Sequence, residues 1–397
     1  MSAPLFLWDD PAVAARFQPF AQSRPLGELR DGAFLLRERW ARTAGRAASG
    51  HLSAAHLSRY HEADAPPVVS AAAGPCLVAR STYAPALEAV IEAPAPARLV
   101  DARGRPVAWL VPNGTRWSPD VGAAWPAHTL AGRWLEGVWQ LVDDLAATLR
   151  ADLDRLRAER PGGAVPRGST VLGDPTLVVA ALAHIEPQVV FDVRDGPIVL
   201  EPGVEVRTFT RLQGPLYAGA GTRLVGGQLR ASTFGPRCVV HGEVSNSVLV
   251  GYANKAHDGF VGHSILGRWV NLGAGTTTSN LKNTYGPVRL NLGAERVETG
   301  MTFLGTLAGD HVKTAIGTML PTGCVLGTGA NVFGTRRPEN AVPPFAWGTD
   351  EQGRVLACRM FLQTAARVLP RRDVPMDDAT AAWLSDVWRH ATGRACD

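Results

Sequence analysis

Residues 198–240 read IVLEPGVEVRTFTRLQGPLYAGAGTRLVGGQLRASTFGPRCVV, and this run decides the fold. Every sixth residue from its start is Ile198, Val204, Thr210, Leu216, Thr222, Gln228, Phe234 and Val240, five of the eight apolar. Four places after each comes Pro202, Thr208, Gly214, Ala220, Gly226, Ser232, Cys238 and Val244, mostly small. After a shift of two residues the beat resumes at Phe260, Leu266, Leu272 and Thr278, with Ser264, Val270 and Thr276 four places on. A hexapeptide period is the signature of a parallel β-helix. Each six residues form one flat face of a triangular coil, the larger side chain filling the interior and the small one fitting beside the corner. Stacked coils then share one continuous core. The expectation is a left-handed parallel β-helix over 169–335, its register hard to follow after about Gly300. Residues 279–301 fail the beat and are expected to form a loop thrown out from the coil, where binding chemistry usually sits.

Outward from the coil, residues 1–130 read as a mixed α/β domain. Leu5–Trp8, Pro67–Ser70, Cys76–Ala79 and Val107–Val111 are strand candidates and Gly32–Arg42 a helix. Over 131–168, Leu135, Val138, Val142, Leu145, Leu149, Leu153 and Leu156 recur at three- and four-residue steps. That spacing predicts one helix of about 25 residues with a single apolar stripe, linking domains and stopped at Pro161-Gly162-Gly163. Beyond Gly334, the segment 336–397 begins with an extended Pro338/Pro343/Pro344 connection. Val355–Leu369 and Asp377–Ala391 then read as helices that cap the coil's open end or pack on its side.

The composition, 46% hydrophobic and 19% charged with a net charge of +4, fits an ordinary soluble protein. Charges of both signs are interspersed, so no nucleic-acid partner is expected. The first ten residues lack the basic start of a signal peptide, and no apolar stretch is long enough to span a membrane. Five scattered cysteines without metal-ligand spacing predict no metal site and a reducing cytoplasm. The basic residues are uneven: only Lys255, Lys282 and Lys313 are lysine, the other 37 of 40 being arginine. Six of nine asparagines fall between Asn246 and Asn291. Lysine and arginine do not exchange freely at a defined site, so the cluster marks 250–315 as the place to look for one.

Within that window lie His257-Asp258-Gly259-Phe260-Val261-Gly262-His263-Ser264-Ile265-Leu266-Gly267, then Asn271-Leu272-Gly273-Ala274-Gly275-Thr276 and Ser279-Asn280. This stretch resembles the acetyltransferase half of the bifunctional glucosamine-1-phosphate acetyltransferase / N-acetylglucosamine-1-phosphate uridylyltransferase family. The family has a histidine, a glycine five residues on, an Asn-Ile-Gly-Ala-Gly-Thr run starting fourteen residues after the histidine, and then a Cys-Asn pair. The resemblance implies His257 as general base, a role suited to a group whose pKa lies near the working pH. It implies Asn271 and Asn280 as sugar ligands, Lys282 as the loop lysine, and Ala274 with Thr306 along the pantetheine channel of acetyl-CoA. Lys255 is either a plain surface charge or a phosphate or CoA ligand. His263 reads as a corner residue. The family's two tyrosines are Phe260 and Leu281 here, so the sugar is held differently or is a different sugar. Relatives with this coil form trimers, which implies a homotrimer with sites between coils.

The N-terminal region carries a second resemblance, in Trp8-Asp9-Asp10, Ser23-Arg24-Pro25, Glu28-Leu29-Arg30-Asp31-Gly32 and Glu38-Arg39-Trp40, joined by Pro343-Pro344-Phe345-Ala346-Trp347-Gly348 and Arg371-Arg372. These look like a branch of related sugar nucleotidyltransferases. The usual Gly-x-Gly-Thr-Arg loop is missing, and Leu26 stands where a lysine would be. Arg24 or Arg30 would substitute against a triphosphate, and Asp9 and Asp10 either approach the nucleotide or simply end a strand. Mg2+ is expected only if this domain is active. Together the readings predict an acetyl-CoA-dependent transferase acting on an amino-sugar phosphate or a sugar nucleotide. Two alternatives stay open: a nucleotidyltransferase whose β-helix only oligomerises it, and a non-catalytic sugar-nucleotide binder.

Overall fold

A computed structural model describes residues 3–160, 165–293, 295–351 and 353–396. The expected helix stop at Pro161-Gly162-Gly163 lies outside them. The N-terminal domain is built on β1 (Leu5–Trp8), β2 (Ala48–Leu52), β3 (Cys76–Arg80), β4 (Tyr83–Pro85), β5 (Ala97–Val100), β6 (Pro106–Val111), β7 (Ala127–Thr129) and β8 (Gly132–Trp134). Six of them form one sheet in the order β2-β1-β3-β6-β5-β7, and β4 pairs with β8 apart. β1 runs parallel to both β2 and β3. The near-continuous apolar runs Leu5–Leu7 and Leu77–Ala79 suit strands covered on both faces. The parallel portion brings Asp9 and Arg80 to the carboxyl end of the sheet, where α/β folds hold ligands. Pro67–Ser70 is not a strand; it contributes one bridge, Val68 to His51.

Helix α1 (Leu36–Ala44) starts later than the sequence predicts. Arg30–Asp31 and Phe34–Leu35 pair first as a small hairpin, turning at Gly32 with φ 63°. A Cβ on Gly32 would lie 2.2 Å from the Asp152 carboxylate, so glycine is required there for space as well as for its dihedral. The predicted linker helix is broken at Asp144, leaving a short Gln140–Asp143 piece and α2 (Leu145–Glu159). All seven stripe residues from Leu135 to Leu156 are nonetheless buried. The apolar stripe dictates packing, and a local break in the backbone does not interrupt it.

From Thr170 to Val342 the chain winds a parallel β-helix, the architecture the six-residue beat predicts. Its first face carries six strands, Thr170–Leu172 to Phe260–Gly262, and its second carries nine, Val178–Val179 to Ala341–Val342. Its third face runs from His184–Ile185 to Asn254–Lys255 and continues through the bridges Asn254↔Asn271, Asn271↔Lys313 and Asn331↔Trp347. Val189, Ile198, Leu212, Leu224, Phe234, Val261, Leu272 and Leu326 are among the side chains filling the interior. The beat slips twice inside the opening stretch, at Arg211↔Gln228 and again at Tyr217↔Thr233. Gln228 pairs with Arg211, seventeen residues back instead of eighteen, so Leu229 turns inward like Leu212 and Gln228 faces solvent. Phe260 is likewise only half-buried, and Val261 takes the interior place. At the corner between the first and second faces a hydroxyl column closes the turns. The Ser232, Ser247 and Ser264 hydroxyls accept the backbone N–H of Ser247, Ser264 and Thr306 at 3.2, 3.1 and 2.9 Å. Each also donates to the carbonyl two residues earlier. Buried backbone donors at a corner are thereby satisfied where no strand partner is available.

The excursion expected at 279–301 is half loop, half packing element. Lys282–Tyr285 lie toward solvent, but Arg289–Leu292 and Glu295–Glu298 form a hairpin whose Leu290, Leu292 and Val297 are buried. These join Phe17, Phe20, Leu29, Leu153 and Leu156 over Val199, Val248, Ile265 and Leu307 of the second face. The chain thus covers that face itself. Helices α3 (Cys358–Val368) and α4 (Asp378–Thr392) pack on the side of the coil. Phe361, Trp383, Leu384 and Trp388 meet Leu57 and Tyr60 of the first domain, and Trp269 and Phe345 of the coil. No described helix is long and apolar enough to cross a membrane.

The expected reducing compartment would leave every cysteine a thiol, and two of the five are not. Cys358 and Cys396 form a disulfide across 38 residues, joining the start of α3 to the chain beyond α4. Closing a loop of that length restricts the unfolded chain, an effect of about 2–4 kcal/mol. Cys358→Ser is therefore expected to lower the melting temperature, and a reductant is expected to lower the wild type's to the same value and leave the variant's alone. An unchanged melt in both would mean that the bridge does not hold this unit.

Candidate active site

His257 lies on the corner between Asn254–Lys255 of the third face and Phe260–Gly262 of the first. Its side chain is exposed and has no hydrogen-bond partner among the described residues. Lys255 beside it is not on the surface. It points into the coil, 2% exposed, with its ammonium on the carbonyl oxygens of His241, at 2.9 Å, and of His257. Burial pushes its pKa down to about 8. Lys255 thus braces the corner that carries His257 and does not face a ligand. One coil on, Asn271 is exposed, and its side-chain oxygen accepts from the Asn254 amide at 2.9 Å.

The pairing of Asn254 with Asn271 and of Asn271 with Lys313 sets the register above the histidine. Gly275 donates to the Asp258 carbonyl at 3.0 Å and Gly317 to that of Ala274 at 2.7 Å. Ala274 therefore stacks over His257, and Ile316 over Ala274. A groove of about 240 Å³ opens at that level, lined by Ile316, Met319, Phe333, Arg336 and Arg337 among others. Ile316 and Met319 are 82% and 68% exposed, unusual for large apolar side chains. Thr306 does not reach this groove. It is fully buried at the head of the serine column, at a different corner.

Asn280 and Lys282 also lie away from His257, beyond the opposite edge of the first face. There the His263 ring is within hydrogen-bond distance of two amides, Asn280 at Nδ1 (2.9 Å) and Asn246 at Nε2 (3.0 Å). It stacks on Phe303 with centroids 5.3 Å apart. Burial, helped by nearby Arg230, pushes the His263 pKa down to about 4, so the ring is neutral near pH 7. His263 is a corner residue as read from sequence, with φ 47°, but its ring also fixes Asn280. The sequence carried a signal for this: Asn246, His263 and Asn280 recur at seventeen-residue steps, one per coil. The Lys282 ammonium donates to the Pro287 carbonyl at 2.5 Å, within its own loop.

In the first domain the four expected nucleotide contacts are all engaged by protein. The Asp9 carboxylate accepts from the Leu26 N–H at 3.0 Å and the Ser53 hydroxyl at 2.5 Å. Burial raises its pKa, partly offset by His51 and these donors. Asp10 caps the turn at Ala12 and pairs with Arg80. Arg24 is fully buried between Glu62, at 3.0 Å, and Asp310 of the coil, at 2.8 Å. Arg30 donates to the Ala33 carbonyl and lies over the Tyr217 ring. Neither arginine is free to meet a triphosphate in this arrangement. A buried pair that the sequence reading did not single out lies alongside, His51 Nε2 on Glu28 at 2.9 Å, with Arg37 on the same carboxylate at 2.7 Å. Among the described residues no three His, Cys, Asp or Glu side chains converge as a metal site.

A coil of stacked hexapeptides behind an α/β domain, with an exposed histidine at a coil corner, defines a two-domain β-helix architecture. Residues 5–161 match the family model described as "Sugar nucleotidyl transferase". The chain is 33% identical over 91 residues to the "Bifunctional sugar-1-phosphate nucleotidylyltransferase/acetyltransferase" of Sulfurisphaera tokodaii, covering 23% of each. It is 36% identical over 86 residues to the "Bifunctional protein GlmU" of Methanocaldococcus jannaschii, covering 22% of this chain and 21% of that one. These matches span less than a quarter of either relative. Among solved structures, a UDP-N-acetylglucosamine acyltransferase covers 47% of this chain at 15% identity with a TM-score of 0.15, too slight a likeness to build on.

Proposed function

We propose that the protein transfers the acetyl group of acetyl-CoA to the amine of an amino-sugar phosphate or a related sugar nucleotide. One observation supports this reading: an exposed imidazole with no hydrogen-bond partner among the described residues lies on a coil corner, two coils before the one at which an apolar groove edged by two arginines opens. The groove suits a pantetheine arm, and Arg336 and Arg337 suit the phosphates of CoA. The sugar amine attacks the thioester carbonyl, the carbon–sulfur bond breaks, and His257 takes the proton lost by the nitrogen. The imidazolium then gives that proton to the departing sulfur, which leaves as the thiol. Orientation of the two reactants supplies much of the rate. Asn271 holds the sugar from the same corner.

Asn280 and Lys282 belong to the far edge of the face, so they serve a site of this kind only if a neighbouring copy supplies them. A homotrimer with its sites at the coil junctions does so, and it covers the exposed Ile316 and Met319. The second face needs no partner, because the chain already covers it. The family match of residues 5–161 favours a second reading, sugar-1-phosphate nucleotidyl transfer in the first domain, for which Mg2+ would be required. The test is thiol release from acetyl-CoA with glucosamine 1-phosphate, run beside pyrophosphate release from UTP or dTTP with a sugar 1-phosphate. Acceptor-dependent thiol release is expected. Pyrophosphate release alone would replace the first reading by the second, and silence in both would leave a binding protein.

A further inference from the structure

We propose that four arginines converging on the third face of the coil bind a small inorganic oxyanion of the diphosphate class, at a site distinct from the His257 corner and outside the first domain. The outward row of that face runs Glu205, Arg223, Val239, Asn254 and Asn271, one residue per coil. The turn Leu369–Arg372, between α3 and α4, lays Arg372 onto this row. Its Nε donates to the Arg237 carbonyl at 3.2 Å and its Nη1 to that of Arg371 at 3.1 Å. Its Nη2 lies 3.5 Å from the Asn254 side-chain oxygen. Arg237 donates in return to the Arg372 carbonyl at 3.0 Å. Val239, between Arg223 and Asn254 in the row, is covered to 8% exposure.

Bracing accounts for the inner nitrogens of Arg372 but not for its surroundings. Its three partners are uncharged oxygens, and it is half-buried with no carboxylate partner among the described residues. Arg371 is exposed and has none there either. Arg223 pairs with Glu205 at 2.9 Å, and Arg237 pairs with Asp373. Four guanidiniums against two carboxylates leave a charge of +2. Burial, and after it the charges of Arg371, Arg223 and Arg237, push the Arg372 guanidinium below its ordinary value. A cation held among like charges calls for a counter-ion. Arg372 is set to receive one, because Nη1 and Nη2 each keep an N–H. That fork matches two oxygens of a phosphate group. Glu205 and Asp373, 46% and 82% exposed at the rim, would repel an extended anionic surface, so the ligand is small. Bound there, it bridges the α3–α4 turn to the coil. The site rests on neither reading of the reaction.

The test is calorimetric titration of the full chain with inorganic diphosphate in magnesium-free buffer, beside thermal melts with and without it. Saturable binding and a higher melting temperature are expected. Arg371→Glu, at an exposed position, is expected to weaken binding about ten-fold or more while its ligand-free melt stays that of the wild type. Asp373→Asn frees Arg237 of its carboxylate and keeps a residue that tolerates the φ of 57° there, so it is expected to tighten binding. His257→Ala and Arg336→Gln are expected to bind as the wild type does. The proposal is overturned by an absence of saturation, by Arg371→Glu and Asp373→Asn both leaving the affinity unchanged, or by loss of binding in Arg336→Gln, which would place the anion in the groove. Sedimentation with phosphatidylglycerol vesicles, by a chain that takes up no diphosphate, would also overturn it, in favour of a lipid surface.

Discussion

Replacing His257 with alanine is expected to slow acetyl-CoA thiol release by about 10²–10⁴-fold, the usual share of a positioned general base. The effect should fall on kcat rather than on KM for acetyl-CoA, because the groove of Ile316, Met319 and Phe333 is untouched. The melting temperature should hardly move, since the side chain is exposed and bonds no other residue described. That separation matters, because the neighbouring Lys255 is structural. Lys255→Met removes the ammonium that ties the His241 and His257 carbonyls together. It should cost stability as well as rate. An unchanged rate in His257→Ala would remove the imidazole from the chemistry and leave the β-helix as an assembly element.

The architecture was legible in the sequence because a repeat with period six has few alternative explanations. The exact register was not. The coil of seventeen residues from Arg211 to Gln228 displaces Gln228 outward, and nothing in its composition announces the missing residue. The apolar stripe of the linker predicted burial correctly through a backbone break that it could not predict. The lysine cluster was informative, but about a different property. Lys255 and Lys313 both place their ammonium on backbone carbonyls of the coil, and burial pushes each down to about 8. A single point charge fits between stacked corners where a planar guanidinium would not. The cluster therefore marks internal bracing at two of its three positions. Likewise Arg24, read as a stand-in for a phosphate-binding lysine, has its partner 286 residues away in Asp310. A contact that remote leaves no local trace.

Arg24→Ala is expected to be the most damaging substitution in the first domain, costing about 3–5 kcal/mol, the penalty for orphaning buried charges. Arg24 and Arg268 share Glu62, and Asp310 is held by Arg24, by Ser23 at 2.7 Å and by the Arg268 N–H at 2.7 Å. Tyr60 donates to Glu62 at 2.6 Å, and the Trp383 indole of α4 donates to the Ser23 carbonyl at 3.1 Å. The network thus ties the first domain, the coil and the C-terminal helices at one point. Its acid sensitivity has a definite sign. Burial raises the Glu62 carboxyl, but Arg24 and Arg268 outweigh it and bring it down to about 2, against 4.5 in the unfolded chain. A carboxyl lowered by folding stabilises the native state above its unfolded pKa, and that stability is lost as protons bind on the way down. The wild-type melting temperature should therefore fall as pH drops from about 4.5 toward 2, and the fall should be shallower in Arg24→Ala, where half of the compensating charge is gone. Thermal melts of both proteins between about pH 2 and 7 measure this directly. Were Arg24→Ala to melt with the wild type while losing nucleotide-dependent pyrophosphate release, the guanidinium would belong to a ligand site and the three parts of the chain would be joined by something else.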